Sequence, residues 1–386
     1  MNPAVVVMAY NRPDALNRLL ASLKTACYPR DTPVCLHISI DQSPQGVHSG
    51  VLEAAERFDW PMGPKRVDVT PGPLGLVEHF YRCGDLAGQY GSIILLEDDL
   101  AVSPAYYSFA AGALDFYASD QRLAGVSLYA LWFNGYTQDP FIPLVDEADV
   151  FFLQIPYTQG QAFTADQWQR FRDWHQQPGP VFLDRSPLHD MFLHFSEDEW
   201  FPTRTRYLVA TDRYYVYPRT SLTTGLGDAG THFSQSSYSF QTPLQRHKTD
   251  YRFQPLDTSD AVYDSFFELL PDRLCRLAPD LKIGEYNVDL NGTKSKRNLP
   301  AEFTLTSRPS RDPLQTFGKS AWPLEANILD GVPGSEIVLS RTSDLEWGRL
   351  AEWKILKSHY LYFNRHHPLG LRRFLLLWLL AKLPIH

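Results

Sequence analysis

Positive charge is in short supply in this 386-residue chain: 36 lysines and arginines stand against 44 aspartates and glutamates, a formal net charge of -8. A general nucleic-acid binder carries a basic footprint, so that class is excluded. Cysteine is scarce too. Cys27, Cys35, Cys83 and Cys275 form no CxxC pair and no metal-ligand spacing, which leaves free thiols in a reducing compartment as the expectation. No stretch reaches the roughly 18–20 apolar residues needed to cross a bilayer. No basic segment precedes the opening AVVVMAY, so neither a signal peptide nor a stop-transfer helix is expected, and the chain is placed on the cytoplasmic side of any membrane it touches. Internal repeats and low-complexity linkers are absent as well.

What is present is a globular composition, 44% hydrophobic and 21% charged, long enough for one large domain or two packed ones. The first 130 or so residues alternate strand and helix signals. Val5–Ala9 is a β-branched run, Asn11-Arg12-Pro13-Asp14 a turn that also caps a helix, and Leu16, Leu19, Leu20 and Leu23 recur at helical spacing. Val34–Ile40 reads as a strand ending in Asp41. A helix at Val51–Phe58, a strand at Arg66–Thr70 and a helix at Leu76–Tyr90 follow, then the strand Ser92–Leu96. Continuous apolar strands separated by helices predict an α/β fold, a mostly parallel sheet with helices on both faces. Ligands bind beyond the carboxyl ends of such strands, which puts the Tyr10–Arg12 turn, Asp41 and Glu97–Asp99 along one edge. Further on, helices are predicted at Ala165–His175 and Ser259–Leu269, and strands at Tyr214–Tyr217, Glu302–Thr306 and Glu336–Leu339. Trp168 and Trp174 read as core.

Glu97-Asp98-Asp99 is the sharpest feature. Three consecutive carboxylates leaving a buried strand call for a cation or a strong set of donors, and hard oxygen ligands suit Mn²⁺ or Mg²⁺. The plain alternative is a solvated acidic loop before the next helix. The first turn adds backbone amides, an amide side chain and a guanidinium suited to a nucleotide.

The ordered blocks VVVMAYNRP, ISIDQS, PLGLVEHF and IILLEDDLAVSP-YY resemble a nucleotide-sugar glycosyltransferase of the GT-A fold. They are most similar to the N-acetylglucosaminyltransferase I branch and its bacterial family-2-like relatives. A second block, Tyr217-Pro218-Arg219-Thr220-Ser221 and Gly227 to Phe233, resembles the same group, and the likeness covers about residues 4–245. It implies that Asp99 ligates the metal bridging the donor diphosphate, with His232 near the diphosphate on the metal's open side. It implies donor contacts from Ala9, Tyr10, Asn11, Arg12, Asp41, Leu74, Gly75, Glu97 and Asp98. Gln159 to Phe163 resembles a segment shaping the donor site, although alone it is a turn before a helix. The catalytic base of an inverting transfer must be a carboxylate beside the acceptor hydroxyl. By its place before Trp200 it falls on Glu199 or Asp198, with Asp190 behind them; the family carries Asp before this Trp, and this chain has Glu199.

The expected organisation is a nucleotide-sugar-binding half over 1–134, an acceptor half over 135–250, an appendage over 251–352 and a basic amphipathic tail over 353–386. That tail has no Asp or Glu after Glu352, and its FLLLWLLAKL run is flanked by Arg372, Arg373 and Lys382. It suits a helix lying on an anionic membrane surface, the alternative being a helix docked in a groove or a dimer contact. The expected partners are a nucleotide-sugar donor and a glycan or lipid-linked glycan acceptor, with homo-oligomers open. A nucleotidyltransferase would share the carboxylates, yet AYNRPDALNRLL lacks the glycines such an enzyme usually places there. A non-catalytic membrane scaffold on a degenerate transferase fold is the third reading.

Overall fold

The apolar runs of the first hundred residues become the centre of a nine-stranded sheet. The computed structural model describes residues 1–177, 188–193, 195, 199–228, 240–279, 281 and 285–348. These divide into two units, Met1–Trp132 with Val145–Ser265, and Phe133–Leu144 with the chain from Phe266 on.

The first unit opens with β1 (Ala4–Ala9), α1 (Pro13–Lys24), β2 (Leu36–Ile40), α2 (Ser49–Arg57), β3 (Lys65–Val69), α3 (Leu76–Tyr90) and β4 (Ser92–Glu97). It continues through β5 (Leu100–Val102), α4 (Tyr106–Phe116), β6 (Leu123–Ser127), β7 (Val150–Leu153), β8 (Gln161–Thr164), α5 (Ala165–His175), α6 (Trp200–Ala210), β9 (Tyr214–Pro218), β10 (Thr223–Gly225) and β11 (Val262–Tyr263). The sheet order is β11-β7-β9-β6-β8-β4-β1-β2-β3. The pairs among β4, β1, β2 and β3 are parallel, as are β6 with β9 and β7 with β11, while β8 runs antiparallel to both β4 and β6, and β7 to β9. The expected α/β architecture with a mostly parallel sheet is therefore present.

Val5 to Val7, Leu36, Ile38, Ile40, Ile93, Ile94 and Leu96 have no exposed surface. Strands without a polar face need cover on both sides. Right-handed crossovers supply it, because β1→β2→β3 steps one way along the sheet and β3→β4 steps back. That reversal puts α1 and α2, which pack together, on one face, and α3 with its neighbour α5 on the other. The α3–α5 contact is close enough that a Cβ on Gly84 would stand 2.0 Å from the Trp168 ring, so glycine is required there. Trp168 is 2% exposed and donates Nε1 to Asp85 at 2.7 Å, a core residue as expected.

The second unit holds α7 (Pro271–Leu277) and α8 (Ala326–Leu329). Its four strands are β12 (Tyr286–Asp289), β13 (Phe303–Thr306), β14 (Pro313–Phe317) and β15 (Ile337–Arg341), in the order β12-β13-β15-β14.

One predicted helix is corrected. Ser259–Leu269 is not helical: Val262 and Tyr263 join β7 as β11, and Phe267 has φ +62. The reason lies far away in sequence. Asp146 accepts hydrogen bonds from Ser259 Oγ at 3.0 Å and Asp260 N at 3.3 Å, which holds the segment extended at the sheet edge. The tail over 353–386 lies outside the described residues. Among the described residues no helix is long and apolar enough to cross a membrane.

Candidate active site

Strand register assembles the site. Met8 faces Glu97 across β1/β4 and Ala9 faces Ile40 across β1/β2, so the residues leaving these strands, Tyr10 to Arg12, Asp41, Asp98 and Asp99, emerge side by side. Asp41 N donates to Ala9 O at 2.9 Å, closing the row.

Asp41 is 4% exposed, and protein donors surround it. Its Oδ1 accepts from Gln42 N at 2.9 Å, Thr70 Oγ1 at 2.9 Å and Leu74 N at 3.0 Å, and its Oδ2 accepts from Gly75 N at 2.9 Å. The carboxylate thereby pins the turn that starts α3, where Gly75 adopts φ +79, a left-handed conformation that favours glycine. Oδ1 takes three of these four bonds and Oδ2 one, so Oδ2 is the less crowded oxygen.

The acidic triplet is answered differently. Arg12 is the N-cap residue of α1, with Pro13 following at the first helical position, and no side chain caps the helix, Asn11 included. The Arg12 side chain reaches across instead. Its Nη1 donates to Asp99 Oδ2 at 3.0 Å and its Nη2 to Asp98 Oδ1. Burial opposes the guanidinium charge, and Asp98 and Asp99 overcome it, holding the group above its usual value. Burial pushes the Asp98 carboxyl up to about 6 against the pull of Arg12 and of a backbone hydrogen bond from Tyr10. Burial, then the charges of Asp99 and Asp98, raise Glu97 as well. One guanidinium thus serves three carboxylates.

A divalent cation fits this donor set. The oxygens are hard, the described residues leave the three carboxylates short of counter-charge, and the Asp99 side chain keeps 31% of its surface open. Among the described residues no group of three or more His, Cys, Asp and Glu converges to hold a metal. Asp99 would therefore supply a partial shell, completed by substrate phosphates and water, as is common for such ions. His232 and Asp198 lie outside the described residues.

The second recognised block approaches the same place. β10 pairs antiparallel with β5, directly after the triplet, and Leu226 N donates to Asp99 O at 3.2 Å. Asp228 then pairs with Arg18 of α1, a contact spanning 210 residues that no local spacing signals. Gln159 borders this strand pair: a Cβ on Gly225 would lie 3.1 Å from its Oε1, a buried oxygen with no partner among the described residues. Tyr10, Asn11 and Gly75 are exposed, Leu74 is half-buried and Ala9 is buried.

The candidate bases come from other elements. Glu199 is the N-cap of α6 in an extended conformation (φ -120, ψ 125), and its side chain makes no capping hydrogen bond. Trp200 beside it stacks flat on Phe80 of α3, with centroids 3.9 Å apart, which ties the start of α6 to the helix that Asp41 anchors. Asp190 is exposed, on a 3-10 turn (Asp190–Leu193).

No protein-family profile matches the chain, and no curated protein matches it by sequence. Solved structures that it resembles include the mannosyltransferase PcManGT from Pyrobaculum calidifontis in complex with GDP-Man and Mn2+, at TM-score 0.31 and 16% identity over 44% of this chain and 47% of that one. S. aureus TarS gives TM-score 0.37 and 13% identity over 58% and 36%. TarS 1-349 in complex with UDP-GlcNAc gives 0.34 and 13% over 57% and 59%. The chain thus spans about half the length of the mannosyltransferase.

Proposed function

We propose that this chain is a metal-dependent inverting glycosyltransferase that moves a sugar from a nucleotide sugar, by default a UDP-sugar, to a hydroxyl of a glycan or lipid-linked glycan. The observation that carries this reading is the charge imbalance at the carboxyl edge of the sheet: among the described residues Glu97, Asp98 and Asp99 stand against Arg12, beside a first-strand turn whose Tyr10 and Asn11 are exposed. Asp99 would hold Mn²⁺ or Mg²⁺, and His232 would stand on its open side. When bound, the ion supplies Lewis-acid neutralisation of the departing diphosphate.

The chain's own residues divide the remaining work. Tyr10 and Asn11 offer an aromatic face and an amide to the base and ribose. Asp41 orients the Leu74–Gly75 turn, and its less crowded oxygen, Oδ2, is the one offered to a ribose hydroxyl. Glu199, extended and free of capping duty, is the base: it takes the acceptor hydroxyl proton as that oxygen bonds to the anomeric carbon and the anomeric C–O bond to the diphosphate breaks. The basic end of the chain lies on an anionic membrane surface at the inner face, and deleting 366–386 would shift the protein to the soluble fraction with donor binding kept.

The test is thermal stabilisation and donor hydrolysis with a panel of nucleotide sugars, with Mn²⁺ or with chelator. One nucleoside diphosphate should stabilise the fold only with the metal, and Asp99→Ala should abolish this. If no nucleotide stabilises the protein in the presence of metal, the reading fails.

A further inference from the structure

Arg12 lies on the carboxylate that the proposed function gives to the cation, and its two contacts are unequal. Nη2 meets Asp98, whose side chain is 4% exposed, while Nη1 meets Asp99, whose side chain is 31% exposed. Releasing Asp98 would bury a carboxylate without its counter-charge, a costly state. Releasing Asp99 only turns a carboxylate toward solvent. The guanidinium therefore has a fixed end and a free end.

We propose that Arg12 is an exchangeable counter-ion that couples cation binding to diphosphate binding. In the empty protein its Nη1 neutralises Asp99. A divalent cation on Asp99 repels the guanidinium from that oxygen, and Arg12 pivots on Asp98. Its freed N–H groups are then available to the diphosphate. The fork geometry of arginine allows this, because one nitrogen stays on Asp98 while another changes partner, which the point charge of lysine cannot do. Helix α1 is unaffected by the exchange, since the Arg12 side chain makes no capping bond. The cation must displace Nη1 when it binds alone, and the diphosphate meets an arginine still committed to Asp99 when it binds alone. Each ligand therefore strengthens the other, by the same factor in both directions.

This inference rests on the metal-dependent reading, and the experiment separates the two. Mn²⁺ is titrated into the full chain with free Mn²⁺ read by electron paramagnetic resonance, with no nucleotide, with UDP and with GDP, for wild type, Arg12→Gln and Arg12→Lys. Wild type should bind Mn²⁺ about tenfold more tightly with the accepted nucleotide than without it. Arg12→Gln should bind Mn²⁺ alone about tenfold more tightly than wild type, and lose most of the gain from nucleotide. Should Arg12→Gln not fold, Arg12→Lys carries the test, with smaller changes of the same sign. Equal Mn²⁺ affinity in wild type and variants, with the nucleotide effect intact, overturns the exchange. Absence of Mn²⁺ binding in every protein, with and without nucleotide, overturns the metal reading beneath it.

Discussion

Each unit contains an arginine bound to aspartate, and the two pairs are built to opposite ends. In the second unit Arg308 is 6% exposed and Asp289 0%. Asp289 accepts from Lys294 N at 2.9 Å, Arg308 Nε at 3.1 Å and Thr306 Oγ1 at 3.2 Å. Arg308 Nη2 donates onward to the carbonyls of Lys294 and Gly292, and the Trp347 ring covers the guanidinium at 4.4 Å. Positive charge from Arg308, and from Lys294 nearby, answers the single carboxylate, and the surrounding backbone answers the rest. In the first unit Arg12 answers two aspartates with Glu97 beside them, and one of its partners is open to solvent. Burial raises the Asp289 carboxyl as it raises Asp98, so burial does not distinguish the pairs. The number of counter-charges does. A closed pair is architecture; a pair short of positive charge is a place for a ligand.

Matched substitutions give the largest contrast. Asp289→Ala strands the Arg308 charge in the second unit and should cost about 3–5 kcal/mol, read as a fall in the urea midpoint. Asp289→Leu with Arg308→Met should recover most of that loss. Asp99→Ala should instead leave the ligand-free midpoint within about 0.5 kcal/mol of wild type, while lowering donor turnover by about a hundredfold or more. The comparison breaks if Asp99→Ala unfolds the protein, or if Asp289→Ala is harmless.

The base comes next in size. Glu199→Gln should keep Mn²⁺-dependent nucleotide binding and lower transfer by about 10²–10⁴-fold. Asp190→Asn should leave both within about threefold of wild type, since its carboxylate sits on an exposed turn. Unchanged transfer in Glu199→Gln moves the assignment to Asp198 or Asp190.

Much of the open pair was legible in sequence, and almost none of the closed one. IILL running into Glu97-Asp98-Asp99 admits few readings, because a strand with no polar face must be central and its acidic exit must lie at the sheet edge. Leu76–Tyr90 and Ala165–His175 have the bounds expected of them, and the second starts on a local signal, the Thr164–Gln167 capping box. Ser259–Leu269 was misread because its conformation is decided by Asp146, more than 110 residues earlier. The clamp on Asp41 depends on Thr70, Leu74 and Gly75, 29 to 34 residues away, and the Arg12 contacts on carboxylates 86 and 87 away. Periodicity places such residues on an edge without saying which of them bond to one another.

His79 sharpens the comparison through a base that is able to give up its charge. It is 3% exposed, with Nε2 3.0 Å from Ser39 Oγ. Burial lowers its pKa to about 4, although Asp41 and Asp68 pull the other way. Since the folded pKa lies below the unfolded value of about 6.5, the unfolded chain takes up the proton first as pH falls. Stability from this group is therefore present above pH 6.5 and lost between pH 6.5 and 4, by about 3 kcal/mol in all. The difference in urea midpoint between wild type and His79→Gln, measured at pH 7 and pH 4.5, isolates the effect from the carboxylates common to both. A difference that does not change with pH would mean that the folded protein holds His79 charged.

Asp41 and Asp99 supply the finest contrast, two carboxylates on one sheet edge with opposite allotments of donors. In Asp41→Asn one oxygen becomes an NH₂ group that meets either the Gly75 amide or the donors on Oδ1, so a charge-assisted bond is lost at a cost of about 1.5–3 kcal/mol. Asp99→Asn keeps an oxygen for Arg12 Nη1 and relieves repulsion from Asp98 and Glu97, so it should be neutral or slightly stabilising without metal. With Mn²⁺ and nucleotide the order reverses: wild type and Asp41→Asn should both gain melting temperature, and Asp99→Asn should gain little. If the two variants respond to metal alike, the edge acts as one acidic patch, and the division between a clamp at β2 and a ligand site at β4 is lost.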